Sequence, residues 1–398
     1  MIPYGKQSIS DDDIQAVVEA LRSDFLTTGP RVAEFESRFA ELVGAKHAVA
    51  VCNATAALHL AMLAAQVGQG DRVITSPNTF LASANAAAFV GATPDFADID
   101  PVTYNLCPKS LEANWQGDTK AVVAVDYAGQ TAEMPAIAKI ARERGAVVIE
   151  DACHGVAGHF SHQGNQYRTG GHPFADMTTF SFHPVKTMTT GEGGMLVTDN
   201  DEYAAAARQL RTHGMVRGEA DSYQGLGHNS MNEQGTWYYE MQDLGFNYRL
   251  TDFQCALGLS QLDRLTAFIS RRREIVARYN EAFSELPNLQ TPGVRNEADR
   301  DLTSWHLYTV QIDFDSIGRS RTDVMQTLRE QGVGTQVLYI PVHLQPWYRK
   351  TYGYEIGKCP AAESFYQKAL SLPLYPAMTD QDVDDVIRCV HSVLQVPA

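Results

Sequence analysis

Lys186 stands between the strand-like run "TTFSF" and the glycine-rich turn "GEGG", an unusual setting for a lysine. A lone lysine is most often a solvated surface charge, which needs neither neighbour. A lysine that a flat cofactor approaches closely needs both, because glycine lets a backbone come near a ligand. An amine held in such a place can form a covalent bond with a carbonyl carbon.

Asp151 is the second candidate, because it ends the apolar run "VVIED". The last residue of a parallel strand lies at the edge of the sheet where ligands bind. For a lone aspartate, a helix cap or an exposed turn is the favoured interpretation. Contact with a nucleotide ribose is another, although no G-x-G-x-x-G motif precedes this strand.

Further positions could complete a cofactor site. Ala54 and Thr55 open a helix after a strand-like run, and the N–H groups at a helix N-terminus can bind a phosphate. Phe80 opens the next helix, where its ring could stack on a ligand, although a core position is the commoner role. Ser181 lies five residues before Lys186. Each of these signals is weak by itself.

The order of these residues along the chain predicts pyridoxal phosphate as the cofactor. Its phosphate requires N–H groups and a hydroxyl, and its ring requires a stacking partner on one face. Its ring nitrogen stays protonated beside a carboxylate, which lets the ring take up electrons. Its aldehyde requires a lysine. The helix N-terminus, the aromatic residue, Asp151 and Lys186 supply that set.

The elements around these residues predict an α/β fold. Seven short apolar runs alternate with helical segments, which indicates a mostly parallel sheet with helices on both faces. The predicted strands are "HAVAV", "DRVITS", "ATPDFADI", "AVVAVD", "AVVIED", "MTTFSF" and "GMLVTD". A capped helix at 10–24 precedes them, and its apolar face is predicted to consist of Ile14, Val17, Val18 and Leu21. We expect residues 1–250 to form a large cofactor-binding domain.

A smaller C-terminal α+β domain is predicted for residues 251–398. A long helix from Thr251 to Leu286 leads into it, with the "RRR" run at 271–273 on the polar side of this helix. The remaining predicted elements are strands at "HLYTVQIDF" and "GTQVLYI" and a final helix at 379–395.

A segment between the two predicted domains breaks the pattern. Residues 216–241 are rich in Gly, Ser, Asn and aromatic residues, among them Trp237, Tyr238 and Tyr239. Long segments of this kind are often lids or binding loops. We expect a surface insertion or lid that could shape a substrate site.

Composition and charge exclude several classes of protein. Lys plus Arg number 32 and Asp plus Glu 47, so the formal net charge is −15 and no basic surface for DNA or RNA is expected. The six cysteines form no C-x-x-C pair, as is usual for reduced thiols in the cytosol. Neither a signal peptide nor a bilayer-spanning run is evident. We expect a cytoplasmic protein that binds small molecules or a second copy of itself.

Four long segments resemble the DegT/DnrJ/EryC1/StrS family of sugar aminotransferases, which are fold-type I pyridoxal phosphate enzymes. They are "YGKQSISDDDIQAVVEALRSDFLTTGP", "FSFHPVKTMTTGEGG", "LGFNYRLTDFQCALGLSQL" and "SLPLYPAMT", so the resemblance runs over nearly the whole chain. It implies a mostly parallel central sheet, a smaller C-terminal domain and pyridoxal phosphate-dependent transamination. Some relatives carry histidine at the lysine position and dehydrate sugars, so Lys186 favours transamination.

The resemblance assigns a role to each candidate by its position. Lys186 would bond to the cofactor and carry a proton between the donor carbon and the cofactor, with a pKa lowered by burial. Asp151 would pair with the ring nitrogen, His154 would contact the phenolic oxygen, and Phe80 would stack on the ring. The implied phosphate-binding residues are Ala54, Thr55, Ser181 and, reaching from a second copy of the chain, Asn247. A homodimer with shared active sites follows from this set.

A narrower similarity concerns the substrate. The segments "VDYAG", "FHPVKTMTTGEGG" and "FNYRL" are most similar to enzymes of pseudaminic acid biosynthesis. They imply transfer of an amino group from L-glutamate to C4 of a UDP-linked 4-keto-6-deoxy-N-acetylhexosamine of L-altro type. Further substrate-site candidates, each with a structural role as an equal alternative, are Tyr4, Thr27, Arg249 and His343.

Three alternatives stand beside this prediction. A metal enzyme would need a ligand spacing such as H-E-x-x-H, and the histidines between positions 154 and 183 do not have one, so no metal site is expected. A silent protein that kept the fold would have no need of Lys186 and Asp151. The third is an aminotransferase for another nucleotide-linked keto sugar, such as the UDP D-gluco epimer or a dTDP-ketohexose, acting at C3 or C4. Few contacts separate such substrates.

Overall fold

A seven-stranded sheet forms the centre of the molecule, seen here in a computed structural model that describes residues 1–217 and 235–394. Its first five strands are β1 (His47–Val51), β2 (Arg72–Thr75), β3 (Thr93–Phe96), β4 (Thr119–Val125) and β5 (Val147–Asp151). A separate hairpin of β6 (His159–His162) and β7 (Asn165–Arg168) follows, and β8 (Met177–Ser181) and β9 (Gly194–Thr198) complete the sheet.

The spatial order of the strands is β1-β9-β8-β5-β4-β2-β3. Six strands run in one direction and β9 runs against them. These are the seven strands predicted from the sequence, and the mixed α/β class is confirmed. Their residues are buried almost without interruption, as in β9, because helices cover both faces of the sheet. The carboxyl ends of the six parallel strands therefore meet at one edge.

Seven helices pack around this sheet within the described residues. They are α1 (Asp11–Arg22), α2 (Pro30–Val43), α3 (Ala54–Ala64), α4 (Leu81–Phe89), α5 (Pro108–Ala113), α6 (Met134–Arg142) and α7 (Asp201–Arg211). Alternate strand residues face opposite layers: Val49 packs in a core with α3, α4 and α7, whereas Ala50 packs in a core with α2. A short pair, β10 (Met215–Val216) and β11 (Glu240–Met241), follows α7.

The apolar face predicted for α1 is only partly covered, since Val17 and Val18 are half-buried and its other two residues are exposed. Ile14 is 54% exposed and Leu21 is 53% exposed. The buried face instead includes Ala20 and the charged Asp13, whose carboxylate accepts a hydrogen bond from Gln261 Nε2 at 2.8 Å. The helix docks through a buried polar contact, and its apolar residues remain free for another surface.

The C-terminal part begins with one long helix and contains a second, smaller sheet. Its elements are α8 (Asp252–Phe283), β12 (Leu289–Gln290), β13 (Tyr308–Ile312), α9 (Arg321–Glu330), α10 (Pro346–Tyr352), α11 (Pro360–Lys368), β14 (Ala369–Leu372) and α12 (Asp380–Leu394). The long helix, the strand in "HLYTVQIDF" and the final helix form as predicted. In the described ranges, no helix has the length and apolarity needed to cross a membrane.

The strand predicted at "GTQVLYI" is wrong. That segment makes only an isolated bridge between Gln336 and Ser371, and the third strand of the small sheet is β14. The antiparallel order β12-β13-β14 leaves the segment beside the sheet, where it extends toward the large sheet instead of pairing along its length. This course brings Tyr339 to the edge where the large sheet's parallel strands end.

The "RRR" run also departs from its prediction, because Arg272 is fully buried. Its Nη1 donates to the backbone carbonyls of Trp305, His306 and Leu374 at 3.3, 3.1 and 2.9 Å. The middle of the run therefore faces the interior, where chain segments around it leave their carbonyls without other partners.

Helix α8 contributes to two hydrophobic cores. Leu259 and Leu265 from its first half pack in the core that contains α2, and Ile275 and Tyr279 from its second half pack in the core of the small sheet. The predicted division of the chain at residue 250 remains a prediction.

Candidate active site

A cavity of about 450 Å³ opens at the edge where the parallel strands end. The segments that follow β1, β2, β5 and β8 form its walls, as does the loop around residue 339. The predicted site residues that line it are Tyr4, Ala54, Thr55, Phe80, Asp151, His154, Ser181 and Lys186. The topology thus gathers residues that are far apart in the sequence.

Lys186 lies in the loop between β8 and β9, where its backbone N–H donates to the carbonyl of His183 at 2.9 Å. Burial lowers the pKa of the Lys186 amine, and the acidic groups of Cys153 and Asp151 only partly oppose this shift. Among the described residues, the lysines that form ion pairs are Lys46 and Lys358. The Lys186 amine therefore lies in the cavity without an ion-pair partner in this part of the chain.

Asp151 is the last residue of β5 and is almost fully buried. Its Oδ2 accepts a hydrogen bond from the Ser83 hydroxyl at 2.6 Å, and its Oδ1 accepts one from the Cys153 backbone N–H at 3.2 Å. A carboxylate has about four lone-pair sites, so these bonds orient Asp151 and leave it able to accept another donor. A protonated ring nitrogen is such a donor.

The N-terminus of α3 forms one wall of the cavity. Asn53 caps this helix, and its side-chain oxygen accepts from the Ala56 N–H at 2.8 Å. The N–H groups of Ala54 and Thr55 lie in the first turn, where no intrahelical acceptor exists, and they can bind an anion. A Cβ atom on Gly194 would lie 2.5 Å from the Asn53 carbonyl carbon. Only glycine permits β9 to begin this close to the helix.

Phe80 precedes α4 and lines the cavity with 58% of its surface exposed, which excludes a core position. Its ring centroid lies 6.2 Å from that of Tyr339. An exposed aromatic ring at the mouth of a cavity is available to stack on a planar ligand.

His154 is buried and has a defined proton position. Its Nδ1 accepts from the Ala128 backbone N–H at 3.2 Å, so a neutral ring carries its hydrogen on Nε2, which lies 3.3 Å from the Tyr339 hydroxyl. Burial, and then the charge of Lys186, hold the pKa of His154 well below its usual value. The imidazole is therefore a neutral hydrogen-bond donor at neutral pH.

The predicted candidates outside this cavity are Thr27, Asn247, Arg249 and His343. Thr27 is exposed beside Thr251, and Arg249 forms an isolated bridge with Val51. His343 is fully buried, with its Nε2 2.8 Å from Glu363, which fits the structural alternative, and its role at a substrate site stays a prediction.

Asn247 is also outside the cavity, but its surroundings differ from those of the other three. It is exposed between Phe246 and Tyr248, whose rings stack at 4.9 Å. A residue that contacts the active site of a second copy of the chain must be exposed and lie outside its own chain's cavity, and Asn247 meets both conditions.

Two cavity residues were missed from the sequence. Ser83 lies in the alanine-rich segment "LASANAAAF", where a buried polar residue in the first turn of a helix was the available signal. Tyr339 lies in the segment misread as a strand. Burial raises the pKa of Tyr339 well above its usual value, so its hydroxyl stays protonated.

The predicted insertion at 216–241 is only partly within the described residues, because 218–234 lie outside them. Its end presents Trp237 and Tyr239 at the surface, 67% and 52% exposed. Across residues 1–217 and 235–394, no cluster of three or more His, Cys, Asp or Glu side chains could hold a metal ion.

The cavity fits pyridoxal phosphate in each chemical requirement. It holds an amine without an ion-pair partner among the described residues, a carboxylate with free acceptor capacity, a helix N-terminus and an exposed aromatic ring. These groups would bind the aldehyde, the ring nitrogen, the phosphate and the ring face.

Comparisons with known proteins agree with this geometry. The model of the DegT/DnrJ/EryC1/StrS aminotransferase family matches residues 7–391. The spore coat polysaccharide biosynthesis protein SpsC of Bacillus subtilis (strain 168) is 44% identical over 395 residues, which cover 99% of this chain and 97% of that protein.

Solved structures share the fold over nearly the whole chain. Helicobacter pylori PseC, an aminotransferase involved in the biosynthesis of pseudoaminic acid, has a TM-score of 0.87 at 28% identity, over 99% of both chains. The putative sugar aminotransferase Spr1654 from Streptococcus pneumoniae, in its PLP form, has a TM-score of 0.87 at 28% identity, over 99% of this chain and 98% of that one.

Proposed function

Because the chain belongs to the DegT/DnrJ/EryC1/StrS aminotransferase family, we propose that it transfers an amino group from L-glutamate to C4 of a UDP-linked 4-keto-6-deoxy-N-acetylhexosamine of L-altro type. The chain is a pyridoxal phosphate-dependent sugar aminotransferase. The donor, the sugar and a place in pseudaminic acid biosynthesis are the proposal. The observation that carries the amino transfer is the Lys186 amine, which is half-buried, has its pKa lowered by desolvation and lines the same cavity as Asp151.

Lys186 is the residue that holds the cofactor and moves the proton. Pyridoxal phosphate supplies an aldehyde that accepts an amino group and a ring that takes up the electrons of a broken C–H bond. The Lys186 amine must be neutral to accept the proton from the α-carbon of the donor, and burial favours that form by lowering its pKa. The same amine then returns a proton to the sugar carbon that receives nitrogen.

The other cavity residues orient and bind. Asp151, held by Ser83, would keep a proton on the ring nitrogen. Ala54 and Thr55 would bind the phosphate through backbone N–H groups. The remaining proposed contacts are the Ser181 hydroxyl with the phosphate, Phe80 with the ring face, His154 with the phenolic oxygen, and Tyr4 with the substrate.

A second copy of the chain is part of this proposal. Helix α1 and the segment that follows it carry exposed apolar side chains, those of Ile14, Leu21, Phe25 and Leu26. Exposed apolar patches often mark sites where another protein binds. Burial of such a surface against an identical chain would stabilise a homodimer. Asn247, exposed and outside its own cavity, would then reach the phosphate in the other subunit.

Mixed dimers test the shared site. Lys186→Ala and Asn247→Ala are each expected to be nearly inactive, because each removes one half of every site. Random mixing places both intact residues together in one site of each heterodimer, so activity should recover to about a quarter of wild type. The controls are the two variants assayed alone. No recovery, with heterodimers confirmed by native mass spectrometry, would refute shared sites.

A second candidate is the same chemistry on another nucleotide-linked keto sugar, such as the UDP D-gluco epimer or a dTDP-ketohexose, at C3 or C4. The 44% identity to a protein named for spore coat polysaccharide biosynthesis favours it. A hydrophobic and polar pocket separates such epimers by few contacts.

Single-turnover kinetics distinguish the two candidates. L-Glutamate first converts the enzyme-bound cofactor to its amino form. Each keto sugar is then added to a separate sample, and the absorbance of the aldehyde form is followed as it returns. Return with the L-altro sugar alone supports the proposal. Faster return with the D-gluco epimer or a dTDP sugar rejects it in favour of the second candidate.

A further inference from the structure

Two buried acidic residues lie next to Asp151. Asp126 follows β4 and Glu150 precedes Asp151 in β5, and the side chains of Asp126 and Glu150 are 0% exposed. Successive strand residues point to opposite faces, so Asp151 points into the cavity and Glu150 points away from it. The mechanism uses Asp151 and leaves this buried pair without a role.

The hydrogen bonds of Glu150 are almost complete. Its Oε1 lies 3.0 Å from His172 Nε2. Its Oε2 accepts from the Thr178 hydroxyl at 2.9 Å and from the Gly170 N–H at 3.0 Å. Each oxygen of this carboxylate is therefore an acceptor with a defined donor.

Asp126 has the opposite character. Its Oδ1 accepts from the Ala132 N–H at 2.9 Å, but its buried Oδ2 has no donor among the described residues. The register of β4 and β5 pairs Ala124 with Glu150, so Asp126, two residues further on, lies on the same face as Glu150 and near enough for Glu150 to raise its pKa. Its Oδ2 is so close to Gly155 that a Cβ there would be 2.8 Å away. Two buried carboxylate oxygens in contact without a proton between them would repel each other.

We propose that Asp126 carries a proton on Oδ2 and donates it to Glu150, and that this proton-sharing pair positions Asp151 for the cofactor. Protonation turns the one oxygen without a donor into a donor, which satisfies every oxygen of the pair. The Asp126 backbone N–H also donates to the Asp151 carbonyl at 3.0 Å, so Asp126 holds both Asp151 and its neighbour in β5. The positioning role rests on the proposed function of Asp151, whereas the protonation does not.

The surrounding charges place the proton on Asp126. Burial raises the pKa of Asp126 well above its usual range, and the charges of Glu150 and Asp151 act in the same direction. Burial by itself would raise the pKa of Glu150 as well, but His172 and the hydrogen bonds lower it overall. On the cavity side, Lys186 and Cys153 are the titratable groups that interact with Asp151.

Infrared spectroscopy of the cofactor-free protein tests the proton directly. At neutral pH the wild-type protein is expected to show the carbonyl stretch of a buried, protonated carboxylic acid. The band should be absent from Asp126→Asn and present in Asp98→Asn, the matched control. Asp98 accepts three backbone N–H bonds, from Ile99, Ala361 and Ala362, and both of its oxygens have a donor. Identical spectra for wild type and Asp126→Asn would overturn the proposal.

Cofactor binding tests the positioning role. The amide of Asp126→Asn supplies both an acceptor for Ala132 and an N–H for Glu150, so the dissociation constant of pyridoxal phosphate should stay within about twofold of wild type. Asp126→Ala supplies neither and should weaken binding about tenfold, the usual effect of losing a buried hydrogen bond. Equal weakening in both variants would show that an ionised carboxylate is required and would overturn the proposal.

The two experiments also separate this proposal from the proposed function. Failure of Asp126→Asn to fold would overturn the proton-sharing pair, because the amide reproduces both of its hydrogen bonds. A wild-type protein that shows the acid band but does not aminate any keto sugar would reject the proposed function and leave the protonation of Asp126 intact.

Discussion

Two basic side chains shielded from water show how the cavity differs from the rest of the interior. Arg272, in the second half of α8, donates to three backbone carbonyls and is enclosed by the core of the small sheet. Lys186, at the edge of the large sheet, has no ion pair among the described residues and faces open space. Both lose contact with water, but among the described residues only Arg272 has protein groups that compensate for this loss.

Burial lowers the pKa of both residues, but the consequences of this shift differ. Burial lowers the pKa of Arg272 to about 9, so the guanidinium is still a cation at neutral pH and keeps its carbonyl partners. Burial also lowers the pKa of the Lys186 amine, and neutralisation there produces a nucleophile and a base. A compensated buried cation stabilises the fold, whereas an uncompensated one indicates that a ligand completes the site.

Lys186→Ala has the largest expected effect and should separate activity from stability. Turnover should fall by more than about 10³-fold, because both the covalent attachment and the proton carrier are lost. The thermal midpoint of the cofactor-free protein should stay the same or rise, since the amine forms no ion pair among the described residues and its desolvation is uncompensated. Steady-state kinetics and thermal unfolding measure the two quantities. Near-normal turnover would disprove the role of Lys186.

Arg272→Met should show the reverse pattern. Three carbonyls lose their donor, which we expect to cost about 3 kcal/mol and to lower the thermal midpoint by about 4 °C. Turnover per folded molecule should remain within about twofold of wild type at low temperature. Arg273→Met is the control, because that half-buried neighbour makes one bond, to the Thr303 carbonyl. If Arg272→Met lowered turnover per folded molecule by much more than twofold and left the thermal midpoint unchanged, the contrast with Lys186 would be lost.

The pH dependence of cofactor uptake sharpens the contrast further. Only the neutral Lys186 amine attacks an aldehyde, so the rate of attachment to the cofactor-free protein should rise about tenfold per pH unit below its pKa and then level off. Because the pKa is lowered, the plateau should begin at a lower pH than for an exposed lysine. Stopped-flow absorbance measures the rate, with Lys186→Ala plus methylamine as the reference. A plateau at the same pH as the free amine would contradict the burial effect.

Ser83→Ala has the smallest expected effect. It removes the hydroxyl that donates to Asp151 Oδ2 at 2.6 Å, and losing one such bond to a carboxylate should cost about 1.5 kcal/mol, or roughly tenfold in cofactor affinity. Ser76→Ala is the control, since that buried hydroxyl accepts from Asn78 and does not contact Asp151. Equal effects of the two substitutions on pyridoxal phosphate binding would argue against a specific role for Ser83.

The large sheet was predictable because its strands are buried on both faces. Continuous apolar runs then have only one interpretation, and the residues after each run, such as Asp151, fall at one edge. The hairpin of β6 and β7 was missed because its residues are mostly exposed and polar. The apolar segment "GTQVLYI" was mistaken for a strand. It extends to the cavity, which Tyr339 lines, instead of pairing in a sheet.

Charged and apolar residues were misplaced where tertiary contacts override the pattern of a single helix. Arg272 was expected on a polar side because isolated arginines are solvated, and its three carbonyl partners come from segments more than 30 residues away. In α1, the apolar Ile14 and Leu21 are exposed, whereas the charged Asp13 is buried through its bond with Gln261. Neither contact leaves a periodic signal in the sequence.

The long helix α8 has a mechanical consequence. With 32 residues it is about 48 Å long, and it runs without interruption from one hydrophobic core into the other. Rotation of the small sheet against the large one would require this helix to bend, or one of its halves to separate from the hydrophobic core that it packs in. A substrate therefore enters and leaves by the opening beside Phe80 while the two sheets keep their positions, and we expect the side chains there to set the rate of exchange.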